Sequence, residues 1–335
     1  MRIITCTGYF GTGSSAITDY ISEFVNCKAM TDYEFRFVHD PDGISDLEFA
    51  LVENHNRHNS GHALKKYKKM VDFLAGNRFI KKYEPFFDYQ WKKLSYEYID
   101  ALTDFSYKGY WHYDVQERGK LFYIYKRSIN KILQKTIWRN KQRGLNELPR
   151  EITLCSFPGE EKFLSLTQEY IDALFRIPNK ENKPNIMLDQ IVPPSNLVRF
   201  LRYFNDIKVF VVERDPRDIF LLTKYVWKST ALPVYDVELF CKWYKYTRAH
   251  RDTEIFNSDK VKFLYFESLI YDYENTTKEI KEFLGFTEEN HTAPKTLLIP
   301  AKSVKNTRLW EQIAGCEKEM AFIEKNLTKY LFDYK

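Results

Sequence analysis

Residues 8–16, "GYFGTGSSA", are the first stretch of this 335-residue chain whose types and spacing suit chemistry. Gly8, Gly11 and Gly13 permit positive φ and close backbone approach. Ser14 and Ser15 fall where the first N–H groups of a following helix lack internal partners. An anion can take those N–H groups and the positive end of the helix dipole together. A glycine-rich turn with a serine N-cap would use the same residues. Against the nucleotide-binding pattern G-x-x-x-x-G-K-[ST], Gly8 and Gly13 fit, but Ser14 stands at the lysine position. ATP-driven phosphoryl transfer is therefore disfavoured.

The second such stretch is "VFVVERDPRDIFLLTKY", residues 209–225. Arg214 follows an apolar, β-branched run, and Asp215-Pro216 opens a helix with an acidic N-cap and proline in its first turn. A guanidinium at the carboxyl end of a central strand can hold a phosphate in a bidentate fork. An arginine paired with Asp215 or Asp218 is the alternative. A third stretch, "NHNRHNSGHALKKY" at 54–67, is polar and cationic; it reads as a substrate or cofactor lid, or equally as a solvated loop capping the helix that starts near 61.

The elements that must position these residues follow from periodicity. Strand 2–7 leads through the glycine loop to a helix at about 14–25, with Ile17, Tyr20, Ile21 and Phe24 on one face. A polar segment spans 31–61. From Gly61 to Gly144 the pattern is mostly helical, with Leu64, Tyr67, Val71 and Leu74 on one face and Ile129, Ile132, Leu133 and Thr136 on another. A strand at 152–155 and a helix near 160–175 return to α/β alternation. Strands at 185–190, 207–213 and 261–267 then alternate with helices from Ser195, Asp215 and Asp236 and one ending at "FLGF". Strands alternating with helices imply a parallel sheet covered on both faces.

Composition narrows the classes. A formal charge of +5 with evenly spread acids does not suit non-specific nucleic-acid binding. Five cysteines, an odd number without a C-x-x-C pair, fit poorly with disulfide scaffolding or a structural zinc. With no basic, apolar leader and no apolar run of the ~18 residues a membrane span needs, a cytoplasmic protein without a transmembrane segment is expected. The 24 Tyr, 26 Phe and 6 Trp concentrate at 79–113 and 225–246, where packing or carbohydrate stacking would use them.

Together with "VKFLYFESLIYDYENTTKEIKEFLGF" (261–286), the loop and the Arg214 stretch resemble the sulfotransferases that use 3′-phosphoadenosine 5′-phosphosulfate (PAPS), most nearly the carbohydrate and bacterial types. "GYFGTGSS", "ERDPRDIF" and "YFESL…EFLGF" stand in that family's order, over residues 1–25 and 185–330, and "SVKNTRLWEQ" at 303–312 looks like its basic C-terminal loop. The resemblance implies an α/β class: a central parallel sheet flanked by helices, the P-loop NTPase-like sulfotransferase fold, in one domain over 1–335 with 31–144 as a substrate-facing, polar and largely helical insertion. It implies PAPS as donor, adenosine 3′,5′-bisphosphate as product and no metal, since a sulfuryl donor has no γ-phosphate for a lysine and Mg²⁺ to hold.

Carried onto this chain, the resemblance gives the cofactor Gly11, Gly13, the amides of Thr12 to Ala16 and the hydroxyls of Thr12, Ser14 and Ser15. Arg214 takes the 3′-phosphate, and Lys305, Asn306 and Arg308 close over it. Gly11 stands where many members carry a lysine, leaving Arg36, Arg57 or Lys305 as the replacing cation. Leu222 stands at the family's serine, with Thr223 one step on. For the general base that the acceptor hydroxyl requires, Glu34 falls at the position of the family's glutamate; Asp189 is next, then His39, His58 and His62. The acceptor is expected to be a hydroxyl of a carbohydrate or glycolipid, met by Arg57, His58, His62 and an open cleft including Phe86 to Trp91. A P-loop nucleotide or small-molecule kinase and a non-catalytic nucleotide-binding protein are the alternatives.

Overall fold

The structure is a computed structural model that describes residues 1–77, 79, 80, 82–141 and 147–334. The strands are β1 (Arg2–Gly8), β2 (Cys27–Glu34), β3 (Phe105–Gly109), β4 (Glu151–Cys155), β5 (Asn185–Asp189), β6 (Ile207–Glu213) and β7 (Val261–Tyr265). Two compact units result, Met1–Asp40 with Phe175–Lys335 and Pro41–Leu174.

In the first unit, β1 and β6 are apolar almost throughout. Ile3 to Thr7 are all buried, as are Val209 to Glu213, as a sheet covered on both faces demands. Five strands align in the order β2-β5-β1-β6-β7, every neighbouring pair parallel. The chain leaves β1 for one edge, returns to β5, and crosses β1 to reach β6. Ligands in open α/β sheets bind at such a switch point, outside the carboxyl ends of the strands. The expected helical face seats the first crossover: Ile17, Tyr20, Ile21 and Phe24 pack on Ile4, Cys6, Phe210 and Val212. Asp215 caps the helix Pro216–Leu221 by accepting from the Arg217 amide at 2.9 Å. The helix Tyr273–Leu284 stops at Gly285, φ 68°. Strand β2 begins at residues the sequence leaves unassigned and runs into the start of the polar segment; it is a sheet edge, and a bulge between Met30 and Glu34 breaks its pairing with β5.

The second unit is built from the helices Asn59–Ala75, Trp91–Leu102, Asp114–Lys135 and most of Gly159–Arg176. The expected inner face is present, with Leu64, Tyr67 and Val71 buried. Three readings of this region need correction. Strand β4 does not resume the parallel sheet: it pairs antiparallel with β3 in a two-stranded ribbon. Only Thr153 of it is buried, which suits a half-exposed ribbon and not a doubly covered strand. Phe87 and Trp91, assigned to an open cleft, are fully buried; their rings stack at 5.7 Å, and Trp91 Nε1 donates to the Val71 carbonyl at 3.0 Å. Ile132 and Thr136 do not face inward: Asp114, Lys126 and Asn130 are the buried residues of that helix. The last residues of the expected helical region, 142–144, lie outside the described residues.

Candidate functional site

At the carboxyl end of β1 the chain turns through Tyr9–Ser14 into the helix Ser15–Ser22. Thr12 closes this loop on itself, its amide and hydroxyl both donating to the Tyr9 carbonyl, at 3.2 and 2.9 Å. Gly13 has φ 81°, and a Cβ there would stand 2.7 Å from the Phe266 ring; Gly11 has φ 77°, and a Cβ would stand 3.2 Å from the ring of Trp227. The Ala16 and Ile17 amides donate to Gly13 and Ser14 at 3.1 and 3.0 Å. The amides of Gly13, Ser14 and Ser15 meet no acceptor among the described residues. These three residues line a cavity of about 550 Å³. Unpartnered amides at a helix start are a binding surface for an anion.

Arg214, just past β6, forms another wall of that cavity and is only 3% exposed. Its Nη1 donates to the Gly11 carbonyl at 3.2 Å and its Nη2 to the Asn306 carbonyl, while its Cζ lies 4.7 Å from the Phe266 ring centre. Its Nε is buried without a partner among the described residues. Burial lowers the Arg214 pKa, against the opposing charges of Asp218 and Glu267. Burial likewise pushes Glu267 up to about 8 and Asp218 up to about 6. A protonated Glu267 at neutral pH leaves the guanidinium charge uncancelled by that carboxyl, available to an anion.

The carboxyl ends of β2 and β5 supply the acid–base groups. Glu34 is the register partner of Asp189, which is also the partner of Cys6 on β1. Both carboxylates line the same cavity. The Cys6 thiol donates to Asp189 Oδ1 at 3.1 Å. Burial pushes Asp189 from 3.8 up to about 6, and the charge of Glu34 adds to the rise against the thiol bond. Glu34 itself is half exposed and lies 3.6 Å from Arg36 Nη1; Arg36 also meets Asp40 at 2.9 Å. Arg36 lines the cavity and is the one cation proposed to replace the missing lysine that does so among the described residues.

Of the other expected residues in the first unit, Asn306 alone lines the cavity. Ala16 is buried in the core cluster under the loop. Thr223 is fully buried with an unpartnered hydroxyl, and Leu222, not Thr223, reaches the cavity. Asn306 lines the cavity, whereas Lys305 is exposed outside it. Arg308 turns away to Tyr334, 4.6 Å from its ring centre, and its amide donates to Asp218 at 3.1 Å. His39 Nε2 is 2.9 Å from the Gln190 carbonyl oxygen. Arg57, His58 and His62 belong to the second unit, where His58 stacks on His112 at 4.2 Å and His62 Nδ1 lies 3.2 Å from Glu117.

Sequence reasoning missed Gln190, Phe10 and Trp227. Gln190 has φ 57°; its side chain accepts from the Thr7 hydroxyl and donates to Ser14 Oγ, each at 3.1 Å. Ser14 is thereby left to donate its own proton into the cavity. Phe10 and Trp227 meet edge to face at 5.7 Å and are about half exposed. Only the aromatic density of 225–246 hinted at Trp227.

No family model matches the chain, and no curated protein does. Among solved structures it is similar to a sulfotransferase from Mycobacterium avium, at 13% identity over 100% of this chain and 77% of that one, with a TM-score of 0.38. It is also similar to a sulfotransferase from Mycobacterium tuberculosis, at 13% identity, 92% and 76% coverage and a TM-score of 0.36. A third similar structure is retinol dehydratase in complex with androsterone and the inactive cofactor PAP, at 12% identity, 99% and 82% coverage and a TM-score of 0.35.

Proposed function

We propose that the protein is a PAPS-dependent sulfotransferase acting on a hydroxyl of a carbohydrate or glycolipid. The observation that carries this reading is one cavity lined at once by the unpartnered amides of Gly13–Ser15, the buried guanidinium of Arg214 and the Asp189 carboxyl with its raised pKa. Two anion-binding groups beyond the ends of different strands suit a ligand with two separated anionic centres. A carboxyl in the same cavity whose pKa burial raises to about 6 suits removal of a hydroxyl proton.

PAPS supplies a sulfuryl group carried on a phosphate leaving group. The Gly13–Ser15 amides and the Ser14 hydroxyl would hold the 5′ end and stabilise charge on the departing phosphate oxygen. Arg214, with its unpartnered Nε, would hold the 3′-phosphate, and the exposed faces of Phe10 and Trp227 would receive the purine. Asp189 would accept the acceptor's proton as the new S–O bond forms and the bond to the phosphate breaks. Arg36 would offset negative charge at the transferring group. Glu34, beside Asp189, would keep that carboxyl basic. The polar wall of Glu34, Arg36 and Gln190 supports a hydroxyl-rich acceptor over a flat phenol. Five free cysteines suit a reducing cytoplasm.

The kinase alternative meets a specific obstacle. Ser14 occupies the position of a nucleotide-binding lysine. The test is transfer of label from PAPS to a panel of oligosaccharides, glycolipids and phenols, set beside label transfer from Mg²⁺-ATP. Labelled sugar is expected. Labelling of phenols alone would overturn the acceptor class, and labelling from ATP alone would overturn the reaction.

A further inference from the structure

The helix Asp114–Lys135 is broken at Gly119 (φ 79°, ψ 175°), and its second part, from Lys120 to Lys135, is inside out for an aqueous surface. Its buried residues are Asp114, Lys126 and Asn130, and their polar groups are bonded inward. Lys126 Nζ donates to Asp114 at 2.8 Å, and the Asn130 amide exchanges bonds with the Leu148 backbone at 2.6 and 2.8 Å. Leu121, Ile124, Tyr125 and Ile132 are instead 84, 59, 62 and 61% exposed. At ~100° per residue, Leu121, Tyr125 and Ile132 fall within about 40° of one another, with Ile124 about 60° to one side. Scattered apolar side chains on a surface need no explanation; a stripe opposite a polar buried face does.

Charge identifies what covers it. Lys120, Arg127, Lys131, Lys135, Arg139 and Lys141 are all exposed, and no Asp or Glu lies between Arg118 and Lys141. Arg127, Lys131 and Lys135 run along one flank of the stripe on the same helical projection. A second copy of the same helix would bring like charges together, which opposes self-association. An apolar stripe bordered by lysine and arginine is complementary to an interface of acyl chains beneath anionic headgroups. Among the described residues no helix is long and apolar enough to cross a membrane, so the fit is to a helix lying in the interface. We infer that residues 120–141 dock on the surface of an anionic phospholipid bilayer. Leu121, Ile124, Tyr125 and Ile132 enter the acyl boundary while the flanking cations meet headgroup phosphates. The surface does not depend on the transfer chemistry proposed above; if both hold, the acceptor is met on a membrane.

The test is flotation of the full chain with vesicles of phosphatidylcholine alone and of phosphatidylcholine with about a third phosphatidylserine. Binding to the anionic vesicles only is expected, weakening as salt is raised. L121Q/I132Q, at exposed positions, should bind about tenfold or more weakly through lost apolar burial. R127Q/K131Q/K135Q should lose about fivefold per cation. Absence of flotation, equal flotation with both vesicle types, or flotation unchanged by both variants overturns the inference. A dimer in analytical ultracentrifugation that L121Q/I132Q abolishes would assign the stripe to a second copy and overturn it as well. Nucleotide binding by L121Q/I132Q should match the unsubstituted chain, so this test and that of the transfer reading fail separately.

Discussion

Replacing Asp189 by asparagine removes one negative charge and one proton acceptor and leaves the shape of the side chain almost unchanged. In the unsubstituted chain burial and the neighbouring Glu34 raise this carboxyl from 3.8 to about 6. A base with that pKa is about nine-tenths ionised at pH 7 and far more basic than an exposed aspartate, which is where general-base catalysis is most effective. Asp189→Asn should therefore lower turnover by about 10² to 10⁴ at pH 7 while nucleotide affinity stays within a few-fold. The pH profile carries the sharper information. For the unsubstituted enzyme, kcat/KM should rise about tenfold per pH unit below about 6 and level above it, because the carboxyl must lose its proton to act. Glu34→Gln removes the like charge that helps hold that pKa up, so the acid limb should move to lower pH with a modest loss of plateau rate. The assay is label transfer from PAPS between pH 4.5 and 9 for the three proteins. If Glu34→Gln abolishes turnover and Asp189→Asn does not, Glu34 is the base. If neither matters, proton transfer lies elsewhere.

Other substitutions test the surrounding geometry. Gly11→Ala should cost about 1–3 kcal/mol of stability, because alanine is strained at φ 77° and its methyl would press on Trp227; an unchanged urea midpoint would contradict this. Gln190→Glu should weaken nucleotide binding by about 10- to 100-fold, since the carboxylate would draw the Ser14 proton back from the cavity and add negative charge beside it; titration calorimetry reads the loss, and unchanged affinity would remove Gln190 from the site. Glu267 is raised from 4.5 to about 8 in the native state. The folded chain thus keeps a proton that the unfolded chain loses, and this group's contribution to stability is largest below pH 4.5 and declines as pH rises toward 8. Glu267→Gln, which mimics the protonated form, should flatten that decline in denaturant midpoints measured against pH; an identical slope would show that Glu267 does not hold the proton.

The parts of this site legible in the sequence are those whose chemistry is local. The change from β-branched strand to amphipathic helix across Gly8–Ser14 announced the loop, and Asp215-Pro216 marked the helix start that places Arg214 at the end of β6. What escaped depends on neighbours far along the chain. Gln190 acts because a left-handed backbone angle sets its amide between Thr7 and Ser14, and no spacing rule encodes that. Trp227 sits over Gly11 only once a helical turn with i→i+5 bonding, Leu222–Val226, delivers it. Strand β2 carries the polar run of an edge, and β4 gave an apolar signal too short to separate a ribbon from a sheet strand. The helix at 114–135 is where periodicity says least, since the face carrying Ile132 and Thr136 is exposed at both while Lys126 and Asn130 are buried. The alternation in its sequence is real; what it faces is not written there.

The central claim is that one cavity reads two phosphates, one on the loop amides and one on Arg214. Its most direct test is titration calorimetry of adenosine 3′,5′-bisphosphate against AMP, with the unsubstituted chain and Arg214→Ala. The account predicts that the bisphosphate binds more tightly than AMP, and that Arg214→Ala weakens the bisphosphate by about 2–4 kcal/mol while leaving AMP nearly unchanged. At a hundredfold excess over Kd the bisphosphate should also stabilise the unsubstituted fold by ~2.7 kcal/mol. Equal affinity for the two nucleotides, with Arg214→Ala affecting neither or both alike, would contradict the account.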